Sequence, residues 1–161
     1  MTRELAIRNY RTMYRYMSEH YTEYLSNVRK MVECRDGYDD AFFYLKSLVY
    51  HDLVEKGILE RVPFIEHSYC YLCAYVDYNG GLKSLFACDD YCPILFQITH
   101  TNLGDLNDCT FHCVTIETFL KLILRTKSPS PHLPYLTTTL SRYFAKIAEL
   151  PERKEKSYGI I

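Results

Sequence analysis

The sequence lacks tryptophan, long apolar runs and an N-terminal apolar leader. No stretch approaches 18 consecutive apolar residues, so we expect no helix that spans a membrane. The first residues, from Met1 to Leu5, lead into charged and polar positions, so we do not expect a secretory signal. Asn-x-Ser/Thr sites are also lacking. Together these absences argue against a membrane protein or a secreted protein.

Common catalytic motifs are lacking as well. The sequence contains no Gly-rich phosphate loop, no HExxH pair, no nucleophile elbow and no kinase signature. For a metal-dependent nuclease, Asp77 could be the first carboxylate. The next suitable segment, 96–99, supplies neither a second carboxylate nor a lysine, so Mg²⁺ would be held weakly. We therefore expect a non-enzymatic protein, and a small metal-dependent nuclease or its inactive relative stays the second alternative.

What the sequence does contain fits one ordinary globular domain. It has 161 residues, of which 48% are hydrophobic and 24% are charged. Its 16 tyrosines can fill half-buried core positions or build a contact surface, because each ring is apolar with one polar tip. The net charge of −1 is distributed as about +2 over residues 1–34, −7 over 35–116 and +4 over 117–161. This balance is far from that of a dedicated nucleic-acid-binding protein.

The first third of the chain is predicted to be helical. Apolar residues recur there at alternating spacings of three and four, with Thr2 as the expected N-cap: Ile7, Tyr10, Tyr14, Met17, Tyr21, Tyr24, Val28 and Met31. This seam indicates packing within the chain or, alternatively, a homodimer through the N-terminal helix. A second helix is predicted over 38–56, with Asp36 or Asp39 as its cap and Gly57 in the left-handed position after its end.

The middle of the chain is predicted to form strands. Short segments rich in Tyr, Phe, Ile, Val and Cys lie at 62–66, 69–78, 82–88, 93–100 and 109–115. Turn signals at 79–81 and 89–91 separate some of them. Helices are expected again at 116–126, with Thr115 as cap, and at about 135–150. The predicted fold is therefore α+β: two N-terminal helices, a four- to five-stranded antiparallel meander and two C-terminal helices. It forms one domain over 1–150, followed by a charged, mobile tail at 151–161.

Six of the seven cysteines form three close pairs: Cys70/Cys73, Cys88/Cys92 and Cys109/Cys113. On strands, the first pair would point to opposite faces, and the last pair would lie about 13 Å apart. Cys88 and Cys92 would instead face each other across a hairpin, as half of a zinc site or as a disulfide. A complete zinc site would comprise Cys88, Cys92, Cys109 or Cys113, and a histidine such as His67 or His112.

The interpretation that we favour is buried thiols that act as small hydrophobic groups, with no cofactor. An odd number of cysteines also favours a reducing compartment, the cytoplasm.

These observations favour a regulatory or inhibitory protein that acts through contact with another protein, and such a protein would suit a viral or phage factor that acts on its host. The expected contact surfaces are a basic stripe, formed by Arg8, Arg11 and Arg15, and acidic turns at Asp89, Asp90, Asp105 and Asp108. The basic stripe lies beside aromatic residues, which is also typical of nucleic-acid contact. The first alternative is therefore a zinc-stabilised nucleic-acid-binding domain, with Cys88, Cys92, Cys109 and His112 as its tentative metal ligands.

Overall fold

The computed structural model describes residues 1–34, 38–79, 92–94, 96–98, 106–107, 109–127 and 129–153. These ranges hold six α-helices, named α1 to α6 in chain order: Arg3–His20, Leu25–Cys34, Ala41–Glu55, Tyr71–Tyr78, Cys109–Arg125 and Leu133–Ala148. Short 3-10 turns occupy Tyr21–Tyr24, Tyr38–Asp40 and Ile65–His67. The strand content of the same ranges is one antiparallel pair of two-residue strands, β1 (Gln97–Ile98) and β2 (Leu106–Asn107). The fold is therefore all-α.

The predicted α+β fold with a four- to five-stranded meander is thus wrong. The segment 69–78 contains helix α4, and 109–115 forms the first part of α5. The segment 62–66 lies at a turn and a 3-10 turn, and among the described residues of 93–100 the strand is limited to Gln97–Ile98. The predicted strand 82–88 and most of both turns lie outside the described residues. Five of the eight α4 residues are buried, so packing on several sides overrides the local preference of Tyr, Val and Cys for strands.

Helix α1 begins as the sequence predicts, because the Thr2 hydroxyl accepts a hydrogen bond from the Leu5 amide at 3.1 Å. The apolar seam is buried except at Tyr24 and Met31, which are half-buried. It packs mainly along α6. Tyrosine suits this seam because its hydroxyl can reach backbone carbonyls of the neighbouring helix. Tyr10 donates to the Ile147 carbonyl at 2.8 Å and Tyr21 to the Thr137 carbonyl at 2.7 Å.

The two ends of the described chain meet beside α1. Arg3 Nη1 lies 3.3 Å from a carboxylate oxygen of Glu152, and Arg3 Nη2 donates to the Pro93 carbonyl at 3.3 Å. The Arg153 amide donates to the same Pro93 carbonyl at 2.7 Å, beside a β-bridge between Ile94 and Glu152. Residues 152–153 of the segment predicted as a tail therefore contact the body of the protein.

Helix α3 begins differently from the prediction. Asp36 lies outside the described residues, and Asp39 pairs with Lys121 of α5 at 2.5 Å instead of capping its own helix. The cap comes from Glu117, whose carboxylate accepts hydrogen bonds from the Ala41 amide at 2.9 Å and the Phe42 amide at 2.6 Å. Burial raises the pKa of the Glu117 carboxyl, and the two amide bonds offset part of that rise. Glu117 and Lys121 thus join α5 to the start of α3.

The other predicted helix boundaries lie within three residues of the observed ones, except for the start of α5. Gly57 has φ +74°, as expected for the residue that follows α3. The helix expected at 116–126 begins seven residues earlier, at Cys109, so Thr115 is inside α5 and does not cap it. The last helix, expected at about 135–150, occupies Leu133–Ala148, with Pro134 in its first turn where its missing amide costs nothing.

We expect Glu117→Ala to lower the free energy of unfolding by about 1–3 kcal/mol, because it leaves two amides at the start of α3 without an acceptor. Glu117→Gln keeps one acceptor oxygen and should lose less. Urea denaturation followed by circular dichroism at 222 nm measures both variants. If the Ala variant were as stable as the parent protein, water would be replacing the carboxylate, and Glu117 would not be the effective cap.

Candidate functional site

Four cysteines meet at one small apolar cavity. Cys70, Cys73, Cys92 and Cys113 line a space of about 20 Å³, together with His112 and the rings of Tyr10 and Tyr14. The remaining lining residues are apolar: Leu72, Val76, Phe96 and Ile147. This volume has room for about one water molecule. The cavity is therefore a gap in the core and has no room for an organic substrate.

The cavity lies where α1, α4, α5 and α6 approach one another. Cys70 is the N-cap residue of α4 and Cys73 is the third residue of that helix. His112 and Cys113 lie on α5, and the His112 ring is held by Tyr143 of α6, with 2.6 Å between Nδ1 and the hydroxyl oxygen. Cys92 is buried in the short segment that precedes Ile94. Among the residues that the structure describes, the cluster is therefore assembled from four helices and the segments around Cys92 and Phe96.

The surroundings of the cavity raise the pKa values of four of its titratable groups, Tyr10, Tyr14, Cys70 and Cys92. A hydrogen bond with Cys73 and then burial raise the pKa of the Cys70 thiol, and burial raises the pKa of the Cys92 thiol. Burial is also the main cause that raises the pKa of Tyr10 and of Tyr14. Since a thiolate is the reactive form of cysteine, Cys70 and Cys92 are weak nucleophiles at neutral pH.

The cavity holds two members of the tentative metal set. Cys92 and His112 both line it, whereas Cys88 and the side chain of Cys109 lie outside the described residues. Within the ranges that the structure describes, no three His, Cys, Asp or Glu side chains are grouped so that they could hold a metal ion. Asp77, the carboxylate considered for a nuclease, is on helix α4, 3.6 Å from Nδ1 of His67.

The predicted basic stripe makes contacts within the chain. Arg8 pairs with Glu60, and Arg15 Nε donates to the Glu149 carboxylate at 2.7 Å. Arg11 donates to the Ala148 carbonyl at 2.6 Å, at the C-terminal end of α6 where helix carbonyls lack partners. These contacts give the stripe a structural role, while Arg8 and Arg15 stay more than half exposed. Its role as a contact surface remains a prediction. The acidic turns at Asp89, Asp90, Asp105 and Asp108 lie outside the described residues.

The N-terminal seam is occupied by the packing within one chain. The side chains from Ile7 to Tyr21 that form it are buried against α6 and its neighbours. This arrangement matches the intramolecular alternative that the sequence left open. A homodimer would have to use another face of the N-terminal helix, and it stays a prediction.

An open groove of about 720 Å³ lies on another side of the molecule, and the sequence did not identify it. Its lining comes from α2, the 3-10 turn before α3, the end of α5 and the start of α6: Arg29, Glu33, Tyr38, Leu124, Arg125, Thr126, Lys127 and Leu133. The Arg125 guanidinium lies 4.9 Å from the centre of the Tyr38 ring, a cation–π distance. Three cations against one anion give this basic groove a formal charge of +2. Lys and Arg outnumber Asp and Glu over residues 1–34 and 117–161, and this excess is the sequence signal that corresponds to the basic groove.

No helix in the described ranges is both long enough and apolar enough to cross a membrane. Comparison of the chain with protein-family models, curated proteins and solved structures finds no match. The features that bear on function are therefore those of the molecule itself: an all-α fold with tyrosine-rich aromatic clusters, a thiol-lined cavity and a basic groove.

Proposed function

We propose that the chain is a non-enzymatic regulatory or inhibitory protein that binds another protein, and that the basic groove receives an acidic segment of that partner. The observation that carries the proposal is the groove itself, an open space of about 720 Å³ with Arg29, Arg125 and Lys127 in its lining. A peptide segment needs an open site of this kind, because its main chain must enter and leave.

The chemistry of the groove suits such a segment. Arg125 and Lys127 are exposed and Arg29 is half-buried, so their charged groups can reach an incoming carboxylate. Leu124, Leu133 and Tyr38 supply apolar contact beside those charges. Charge complementarity of this kind steers association and selects the partner, and it acts through a few surface cations even when the whole protein is close to neutral.

Two further features support a binding role. The groove is built from four separate elements of the fold, and the ion pair between Lys121 and Asp39 joins two of them, α5 and the 3-10 turn before α3. The net charge of −1 makes a general affinity for nucleic acid the weaker explanation of these cations. We place the protein in the cytoplasm, or in the host cytoplasm for a viral product, because its odd number of cysteines suits a reducing compartment.

The test is a charge reversal at the groove. The variant Arg29→Glu/Arg125→Glu/Lys127→Glu should bind the specific partner about tenfold or more weakly, because three favourable charge pairs become repulsive. The matched control, Arg61→Glu/Arg142→Glu/Lys146→Glu, changes the net charge equally at exposed sites away from the groove. Quantitative mass spectrometry compares the proteins that the parent chain and both variants retain from an extract of the source cells.

Competition with defined polymers identifies the chemistry of the contact. Poly-L-glutamate should displace the retained partner, poly-L-lysine should not, and retention should weaken as salt rises, since exposed charges are screened. Equal retention by the groove variant and the control would show that the groove is not the contact surface. Retention of nucleic acid in place of a protein would favour the nucleic-acid-binding alternative and overturn the proposal.

A further inference from the structure

We propose that Cys70 and Cys73 form a reversible redox pair that closes to a disulfide at the start of helix α4. This inference is independent of the basic groove, which involves neither cysteine. It assigns a modification site to a CxxC motif. On a strand these two cysteines could not have bonded to each other, because side chains at i and i+3 of a strand point to opposite faces.

The geometry of the helix start brings the two sulfurs together. Cys70 is the N-cap residue, with extended backbone angles of φ −119° and ψ 120°, and Cys73 is at the third helical position. The side chains of these two positions face each other, as they do in a capping box, where the N-cap side chain reaches the third residue. Accordingly, the Cys70 and Cys73 side chains line the same small cavity.

The backbone on either side holds this arrangement. The Cys70 carbonyl accepts the first helical hydrogen bond, from the Ala74 amide at 2.9 Å. The Cys70 amide donates to the Ser68 hydroxyl at 3.2 Å, and Tyr69 between them adopts a left-handed φ of +52°. Cys70 is therefore fixed from both directions, so closure of the disulfide falls to the side chain of Cys73.

The surroundings allow that movement. Both cysteines are half-buried, so a small reagent can reach the edge of the site. Their side chains border the 20 Å³ cavity, which gives the sulfurs room to move without displacing the rings of Tyr10 and Tyr14. Cys92 and Cys113 line the same cavity, so they are the two cysteines that could compete for a sulfur of the pair.

The reaction is a thiol–disulfide exchange with a small-molecule disulfide such as oxidised glutathione. Because Cys70 is the weaker nucleophile, Cys73 acts first: as its thiolate it attacks a glutathione sulfur, forms a mixed disulfide and releases one glutathione thiolate. The other cysteine then loses its proton, attacks the mixed disulfide and releases the second glutathione thiolate. The protein loses two electrons and two protons, and one oxidised glutathione becomes two reduced molecules. A dithiol reductant reverses both steps.

The experiment uses the full chain in glutathione buffers of graded ratio, followed by acid quenching, denaturation and alkylation. Trypsin should release residues 62–83 as one peptide that holds Cys70 and Cys73 and no other cysteine. We expect this peptide to lose both alkylation sites together, with a mass two hydrogens lower than that of the reduced form, and to regain both sites with dithiothreitol. This mapping of the parent chain needs no substitution.

Variants sharpen the test. Cys34→Ser removes an exposed cysteine on α2 and should leave oxidation of the pair unchanged. Cys70→Ser and Cys73→Ser should each abolish the loss of two hydrogens from this peptide, and any oxidised form should carry one bound glutathione instead, because the second, intramolecular step is lost. The proposal is overturned if Cys70 and Cys73 stay alkylatable while Cys34 acquires glutathione, or if the disulfide that forms links either of them to Cys92 or Cys113.

Discussion

Replacing Phe144 by alanine should lower the free energy of unfolding by about 3–5 kcal/mol, the usual cost of deleting a fully buried aromatic ring. Phe144 of α6 has no exposed surface. Its ring centre lies 6.0 Å from that of Tyr14, 5.4 Å from that of Tyr21 and 6.2 Å from that of Phe42. Because these rings belong to the N-terminal helical segment and to α3, one side chain holds three parts of the fold together.

Urea denaturation of Phe144→Ala measures this effect, and two further variants calibrate it. Phe144→Leu keeps most of the apolar volume and should cost less than half as much as the alanine variant. Tyr135→Ala removes a ring that is 71% exposed and should change the stability by no more than about 0.5 kcal/mol. A loss below about 1 kcal/mol for Phe144→Ala would mean that α6 does not pack on α1 through this cluster.

The parts of the fold that the sequence predicts correctly are those with local signals. The Thr2 side chain caps the start of α1, and Gly57 adopts the left-handed conformation that follows the end of α3. Both signals act over a few residues, and both mark helix ends where the sequence predicts them. The seam of α1 keeps a regular helical period because one side of that helix packs along α6 while residues such as Arg15 stay in solvent. Its four tyrosines were a poor match to a coiled coil. Packing within the chain explains them: the Tyr10 and Tyr21 hydroxyls bond to carbonyls of α6, Tyr24 donates to Asp52, and the Tyr14 ring contacts Phe144.

Helices α4 and the first part of α5 were predicted as strands for a physical reason. The α4 sequence is short and rich in residues that favour strands, and its buried residues (Tyr71, Leu72, Ala74, Tyr75 and Val76) leave little polar surface to mark a helical period. A helix of eight residues is not stable by itself, so its conformation is set by the neighbours that bury it. Sequence patterns do not report those neighbours.

This error changed the interpretation of the cysteines. On strands, Cys70 and Cys73 would point to opposite faces, whereas at the start of a helix they line one cavity. Cys113 also joins them through α5, and Cys92 through a loop. The prediction that we favoured, buried thiols in the core, describes Cys92 well, since it is 3% exposed. The basic groove could not be predicted from the sequence for a related reason, because it brings together cations that are almost a hundred residues apart in the chain.

The tyrosine-rich core should make the protein unfold cooperatively in alkali. Four buried tyrosines, Tyr10, Tyr14, Tyr21 and Tyr71, have pKa values raised by burial. A group with a raised pKa in the folded state contributes stability that is fully present below its unfolded pKa, about 10 for tyrosine, and is lost as the pH rises above it. Each such tyrosine reduces the free energy of unfolding by about 1.4 kcal/mol per pH unit there, so four reduce it by about 5 kcal/mol per unit.

At this slope, an ordinary free energy of unfolding of about 5–15 kcal/mol falls to zero within roughly one to three pH units above 10. The thiols of Cys70 and Cys92, whose pKa values are also raised, add a loss of the same sign that begins nearer pH 8.5. Absorbance at 295 nm reports tyrosinate directly, because the protein has no tryptophan. We expect a large part of that signal to rise together with the loss of circular dichroism at 222 nm, in reducing buffer.

Tyr21→Phe separates burial from ionisation. The variant loses the hydrogen bond to the Thr137 carbonyl, so at pH 7 it should be about 1 kcal/mol less stable than the parent chain. It also loses one group that ionises only on unfolding, so its stability should fall less steeply with pH above 10, by about 1.4 kcal/mol per unit. The two stability curves should therefore converge in alkali. Parallel curves, or a smooth tyrosinate titration near pH 10 with helicity intact, would mean that Tyr21 is open to solvent and that the buried aromatic core is not formed as the structure describes.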